Sequence, residues 1–147
     1  MSKLKLEAEV FQVSIYCDII LNIIIKHKIL SVNKVLMFSY LIKKDRLIPN
    51  NIYNGNNTQD IIYKCISVLS GDYVEYCNSI PYIIKAIHLL NIKGRIGLEN
   101  NQLHCLSEPE KSTDKPVYGE SLFIEKAIEE SRKLSEKQFL REVMNNV

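Results

Sequence analysis

The sequence predicts a mainly α-helical fold with one small β-hairpin. Three observations carry that expectation. Apolar residues recur at spacings of three and four over long stretches, as one buried face of a helix requires. Helix starts and stops punctuate those stretches, with Ser31, Thr58, Ser79 and Ser135 as N-caps and Ser70-Gly71 and Lys93-Gly94 as terminators. Only residues 95 to 106 read as two short strands around a two-residue turn. At 147 residues, 46% apolar and 24% charged, the chain suits one domain with a buried core and is too apolar for disorder.

Residues 5 to 29 read as one long helix, with apolar positions 8, 11, 15, 19, 20, 23 and 24 on its inner side. It is apolar on much of its circumference, which predicts a central place. Its surface exceeds what two or three neighbours cover easily, so a packed core and a contact with another chain both account for it. Ser31 caps a second helix over 32 to 44, in which Val35, Leu36, Phe38, Leu41 and Ile42 give a broad apolar face and Lys43 and Lys44 suit the C-terminal dipole. Pro49 and the Asn-rich run to Asn57 are loop chemistry.

Thr58 opens a third helix, about 59 to 69, with Ile61, Ile62, Cys65, Ile66 and Leu69 inside. Asp72 to Asn78 reads as a short helix of its own. Ser79 and Pro81 then start another, to about Asn91, because Pro is tolerated in a first turn. After Lys93-Gly94 come two strands joined by Asn100-Asn101, a pair that accepts positive φ better than most. Residues 107 to 118 are polar, hold Pro109 and Pro116, and read as a surface linker. Residues 119 to 147 form a C-terminal amphipathic helix pair, with Ser135 and Gln138 as a capping box for the second helix. Charge divides at the same boundary. Residues 1–106 carry 12 basic and 8 acidic side chains, and residues 107–147 carry 7 and 9, which together make the net +2 of the chain.

Several chemistries are not signalled. Gly94-Arg95-Ile96-Gly97 lacks the third glycine of a dinucleotide loop and follows a helix rather than a strand. His27, His88 and His104 are scattered, and no metal-ligand spacing accompanies them. Glu129 and Glu130 read as a solvated face. Cys17, Cys65, Cys77 and Cys105 form no CxxC pair and read as buried free thiols of a cytoplasmic protein. No catalytic residue, cofactor site or metal site is expected. The most apolar window, Ile19 to Ile25, is far shorter than the roughly 18–20 residues of a membrane span, so no membrane is expected.

The order helix, turn, helix, hairpin over about 58–106 is that of a winged-helix-like core, flanked by long N-terminal helices. In that arrangement the helix before the hairpin reads DNA. Lys85, Lys93 and Arg95 are its candidate DNA contacts. Three cations are few for autonomous DNA binding, so the pattern favours protein docking. Leu122, Phe123, Phe139 and Leu140 on the C-terminal helices are candidate partner-interface residues.

The apolar N-terminal helices lead on to Ile83-Ile84-Lys85-Ala86-Ile87-His88-Leu89-Leu90 and Gly94-Arg95-Ile96-Gly97-Leu98-Glu99-Asn100-Asn101-Gln102-Leu103. Ile124-Glu125-Lys126-Ala127 and Leu134-Ser135 before Phe139-Leu140 follow in the tail. This order resembles the small middle component of bacterial three-component ABC systems, the class that includes Lamassu-type anti-phage and anti-plasmid defence. The resemblance implies a non-catalytic adaptor that holds an effector nuclease against an SMC-like ATPase and meets DNA through that complex. The alternative is a winged-helix DNA-binding regulator.

Overall fold

The computed structural model describes residues 3–44, 58–106 and 120–146. Within them the chain is mainly helical, with a small three-stranded antiparallel sheet. The elements run α1 (Lys3–His27), β1 (Ile29–Ser31), α2 (Val32–Lys43), α3 (Thr58–Gly71), α4 (Tyr73–Ile92), β2 (Ile96–Glu99), β3 (Gln102–Cys105), α5 (Leu122–Ser131) and α6 (Glu136–Asn146). The Asn-rich loop and the 107–118 linker expected from the sequence lie outside the described residues.

The core is built around α2. Every residue from Lys34 to Ile42 is buried, so this helix is enclosed on all sides and packs against α1, α4 and α5. Ser31 caps it as its residue type predicts, accepting a hydrogen bond from the Lys34 backbone N–H. The central place expected for the first helix thus belongs to the second. In α1 burial begins at Val13 and continues through Tyr16, Ile19, Ile20, Ile23, Ile24 and His27, while Leu4, Leu6, Val10 and Phe11 are exposed. Taken whole, α1 is 25 residues long and apolar enough to cross a membrane by length and composition. The expectation from the Ile19 to Ile25 window alone missed this.

The first helix ends at His27, not 29. Lys28 takes φ 74° and its N–H donates to Ile24 O at 2.8 Å, closing the helix with a left-handed residue. That turn releases Ile29–Ser31 as a strand, which pairs with β3 in the register Leu30↔Leu103. The sheet order is β1-β3-β2. The hairpin forms as expected, with Asn100 and Asn101 at φ 53° and 61°, the geometry of a two-residue primed turn.

The break expected between Asn78 and Ser79 is absent. α4 runs unbroken from Tyr73 to Ile92 with Pro81 inside it. Pro81 has no N–H to give to the preceding turn, yet Tyr76 before it and Ile83, Ala86, Ile87 and Leu90 after it are buried in the same core. Packing on both sides outweighs one missing bond. At the far end Gly94 takes φ +71°. Arg95 N–H bonds to Leu90 O and Gly94 N–H to Asn91 O, both at 3.0 Å, which is a Schellman stop.

The C-terminal pair packs on its own chain. α5 lies across α2 and α3, and α6 packs on α3. Ser121 caps α5 through the Ile124 N–H. Ser135 and Gln138 exchange reciprocal bonds of 2.9 and 3.2 Å at the start of α6, as a capping box should.

Candidate docking groove

An open groove of about 730 Å³ lies between α1 and α4. One wall is a stripe of α1 at 6, 10, 13 and 17, and the same heptad spacing continues into Ile20 and Ile24, which are fully buried in the core. One seam of α1 is therefore covered by the chain at its C-terminal end and left open at its N-terminal end. Leu6 is 63% and Val10 61% exposed. The other wall is α4, with Ile84 at 50% and Leu89 at 40% exposure. From Leu6 to Leu21, both on the groove, α1 runs roughly 22 Å at 1.5 Å per residue.

The walls differ in charge. Lys85 and His88 stand on α4 and Lys93 at its C-cap, with Arg95 just beyond the Gly94 stop, while Glu9 and Asp18 stand on α1. Lys85 pairs with Glu9 across the groove mouth. All three sequence-derived cations, Lys85, Lys93 and Arg95, therefore line one groove with an aliphatic floor.

Cys17 is the thiol in this groove. Burial raises its pKa, Lys93 opposes that and Asp18 adds to it, and the Sγ points to Ala86 O at 3.8 Å. A thiol held protonated is a poor nucleophile. All four cysteines are free, and burial pushes the enclosed Cys65 up to about 12.

The sequence-derived partner residues separate. Phe123 and Phe139 are buried, at 8% and 1% exposure, inside the core shared with α2 and α3. Their apolar surface is already covered, so they are not an open interface. Leu122 and Leu140 do face outward.

A second cluster was not foreseen. His27, its side chain only 2% exposed, stands between two carboxylates. Its Nε2 meets Glu120 at 2.9 Å and its Nδ1 meets Glu129 at 2.5 Å. Lys26 reaches Glu125 at 3.1 Å and Glu120 at 3.6 Å. Arg132 holds Glu129 at 3.2 Å and donates to the His27 backbone carbonyl. Burial by itself lowers the His27 pKa, but the hydrogen bonds its ring donates to Glu120 and then Glu129 outweigh that and raise it. Glu129 thus belongs to an ion cluster, not to the purely solvated face its sequence context suggests. The opposite signs of the two halves of the chain meet here and tie α5 to the end of α1. Because the carboxylates bind opposite ring nitrogens, they do not converge on one point. Among the described residues no group of His, Cys, Asp and Glu side chains is arranged to hold a metal ion.

Comparison of the chain with protein-family models, with curated proteins and with solved structures gave no match.

Proposed function

We propose that this chain is a non-catalytic adaptor subunit, cytoplasmic and without a cofactor. Its role is to hold an SMC-like ATPase and an effector nuclease in one bacterial complex directed against phage or plasmids. The family of the partners comes from the sequence resemblance. The adaptor role is supported by one observation, the open aliphatic groove whose α1 wall belongs to an otherwise buried heptad seam. Such surface on a folded chain marks an interaction site. Co-expression with the products of neighbouring genes tests the reading. A stoichiometric complex on gel filtration is expected; elution of the chain alone contradicts it.

A winged-helix DNA-binding regulator is the second reading. The β1-β3-β2 sheet order and the helix followed directly by a hairpin support it, as do Lys85, Lys93 and Arg95 on one groove. Against it, α4 exposes Ile84, Leu89 and Ile92 where phosphate-binding groups are needed, and the hairpin tip is Glu99-Asn100-Asn101, with no cation. Duplex DNA titrations across salt separate the two readings. Three phosphate contacts give a log–log slope of about −2.7; the adaptor reading predicts no measurable binding by the chain alone.

A further inference from the structure

We propose that the α1–α4 groove receives one amphipathic helix of a partner polypeptide, with Leu- or Ile-type residues at heptad a and d positions and Asp or Glu along its α4-facing edge. This deepens the adaptor reading and rests on it. The shape of the occupant follows from α1. Leu6, Val10, Val13 and Cys17 repeat at four, three and four, the spacing that accepts knobs from a facing helix. Farther along the same seam, Ile20 and Ile24 already sit against the chain's own core. A helix laid along the groove, whose α1 lining from Leu6 to Leu21 is roughly 22 Å long, would extend that packing over Leu6 and Val10, the members of the seam that the chain leaves exposed while Val13 is already buried.

The polarity of the occupant follows from the walls. Lys85 and His88 rise from α4 and Lys93 from its C-cap, while the α1 wall offers Glu9, engaged with Lys85, and Asp18. An acidic edge against α4 is complemented, and a basic edge there is repelled. The same comparison argues against a second copy of this chain. α6 and α1 mix signs on their polar faces, through Glu136, Lys137, Arg141 and Glu142 and through Lys3, Lys5, Glu7 and Glu9, and the glutamates of the acid-rich α5 are already paired within the chain, Glu125 with Lys26, Glu129 with His27 and Arg132, and Glu130 with Lys133. Neither α1 nor α6 presents a purely acidic flank, and that of α5 is engaged with its own chain.

The test uses the full chain and two labelled synthetic helices of about 18 residues. Both carry Leu at a and d; one has Glu at e and g, the other Lys. Fluorescence anisotropy should show the acidic peptide binding at least about tenfold tighter than the basic one. Lys93→Glu should reverse that order. Val10→Asp and Ile84→Asp, both at exposed sites, should each weaken the acidic peptide by more than about tenfold, with unchanged thermal melts. Equal or preferred binding of the basic peptide overturns the proposal, as does binding indifferent to both Asp variants. Concentration-dependent self-association abolished by Val10→Asp overturns it in favour of a second copy. Duplex DNA binding lost in Lys93→Glu but kept in Val10→Asp overturns it in favour of nucleic acid. If the multi-subunit complex still assembles with both Asp variants, the groove assignment fails and the adaptor reading stands. If the acidic peptide binds but no complex with the neighbouring gene products forms, the adaptor reading is the one that fails.

Discussion

Replacing His27 with Gln removes the positive charge from the centre of the α1–α5 cluster while keeping a polar side chain of similar reach. Glu120, whose side chain is 6% exposed, loses its partner at 2.9 Å and keeps Lys26 at 3.6 Å. Glu129 is 54% exposed and retains Arg132 at 3.2 Å, so water and Arg132 offset most of its loss. Removing one member of a buried pair costs about 3–5 kcal/mol. With one carboxylate half-solvated and the other still near a lysine, the cost falls below that range, to about 2–3 kcal/mol. For a domain of this size that is a fall in Tm of roughly 4–12 °C. The effect has a definite pH dependence. The folded-state pKa of His27 is raised, so its contribution is fully present below the ordinary histidine value of about 6.5 and is lost as pH rises through the raised value. Circular-dichroism melts of both proteins from about pH 6 to pH 10 measure it. The gap between them should be widest at the acid end and shrink steadily upward. A gap that is constant, or that widens with pH, refutes the assignment of a protonated His27 bridging two carboxylates.

Three further outcomes follow from particular contacts. Phe139→Ala should cost about 3–5 kcal/mol in denaturant unfolding, because the ring is 1% exposed in the core, whereas Leu122→Ser at 82% exposure should stay within about 0.5 kcal/mol; equal costs would mean that the C-terminal pair is not part of the core. Lys28→Gly should raise stability by about 1 kcal/mol, since a non-glycine residue at φ 74° pays a left-handed penalty; an unchanged or lower Tm would contradict that geometry. A Cβ on Gly97 would come within 2.3 Å of His104 Nε2 and push that half-buried ring aside, so Gly97→Ala should destabilise by up to about 1 kcal/mol and His104→Ala should relieve most of it in the double variant. Additive losses would show that the two do not meet.

What was legible in the sequence were features set by neighbours along the chain. Ser31, Gly94, Asn100-Asn101 and the Ser135–Gln138 box each act within a few residues, and each does in the structure what its residue type predicts. What escaped depends on distant partners. Ile29–Ser31 is a strand only because Gln102–His104 pairs with it, and Lys28 carries no residue-type signal for the left-handed turn before it. Pro81 is a sound local reason to start a new helix, and it is overruled by apolar packing on both sides of it. The His27 cluster joins residues about a hundred positions apart; the one hint was the opposite net charge of the two halves. The groove was half visible. Lys85, Lys93 and Arg95 could be singled out, but only the fold sets them across from Leu6, Val10 and Val13 on α1.

The claim that the α1–α4 groove is where this chain meets its partner is tested most directly by hydrogen exchange on the assembled complex and the free chain. Added protection should concentrate on α1 between Leu6 and Leu21 and on α4 between Ile84 and Lys93. Protection centred on the outer faces of α5 and α6, with the groove exchanging as in the free chain, would contradict the account.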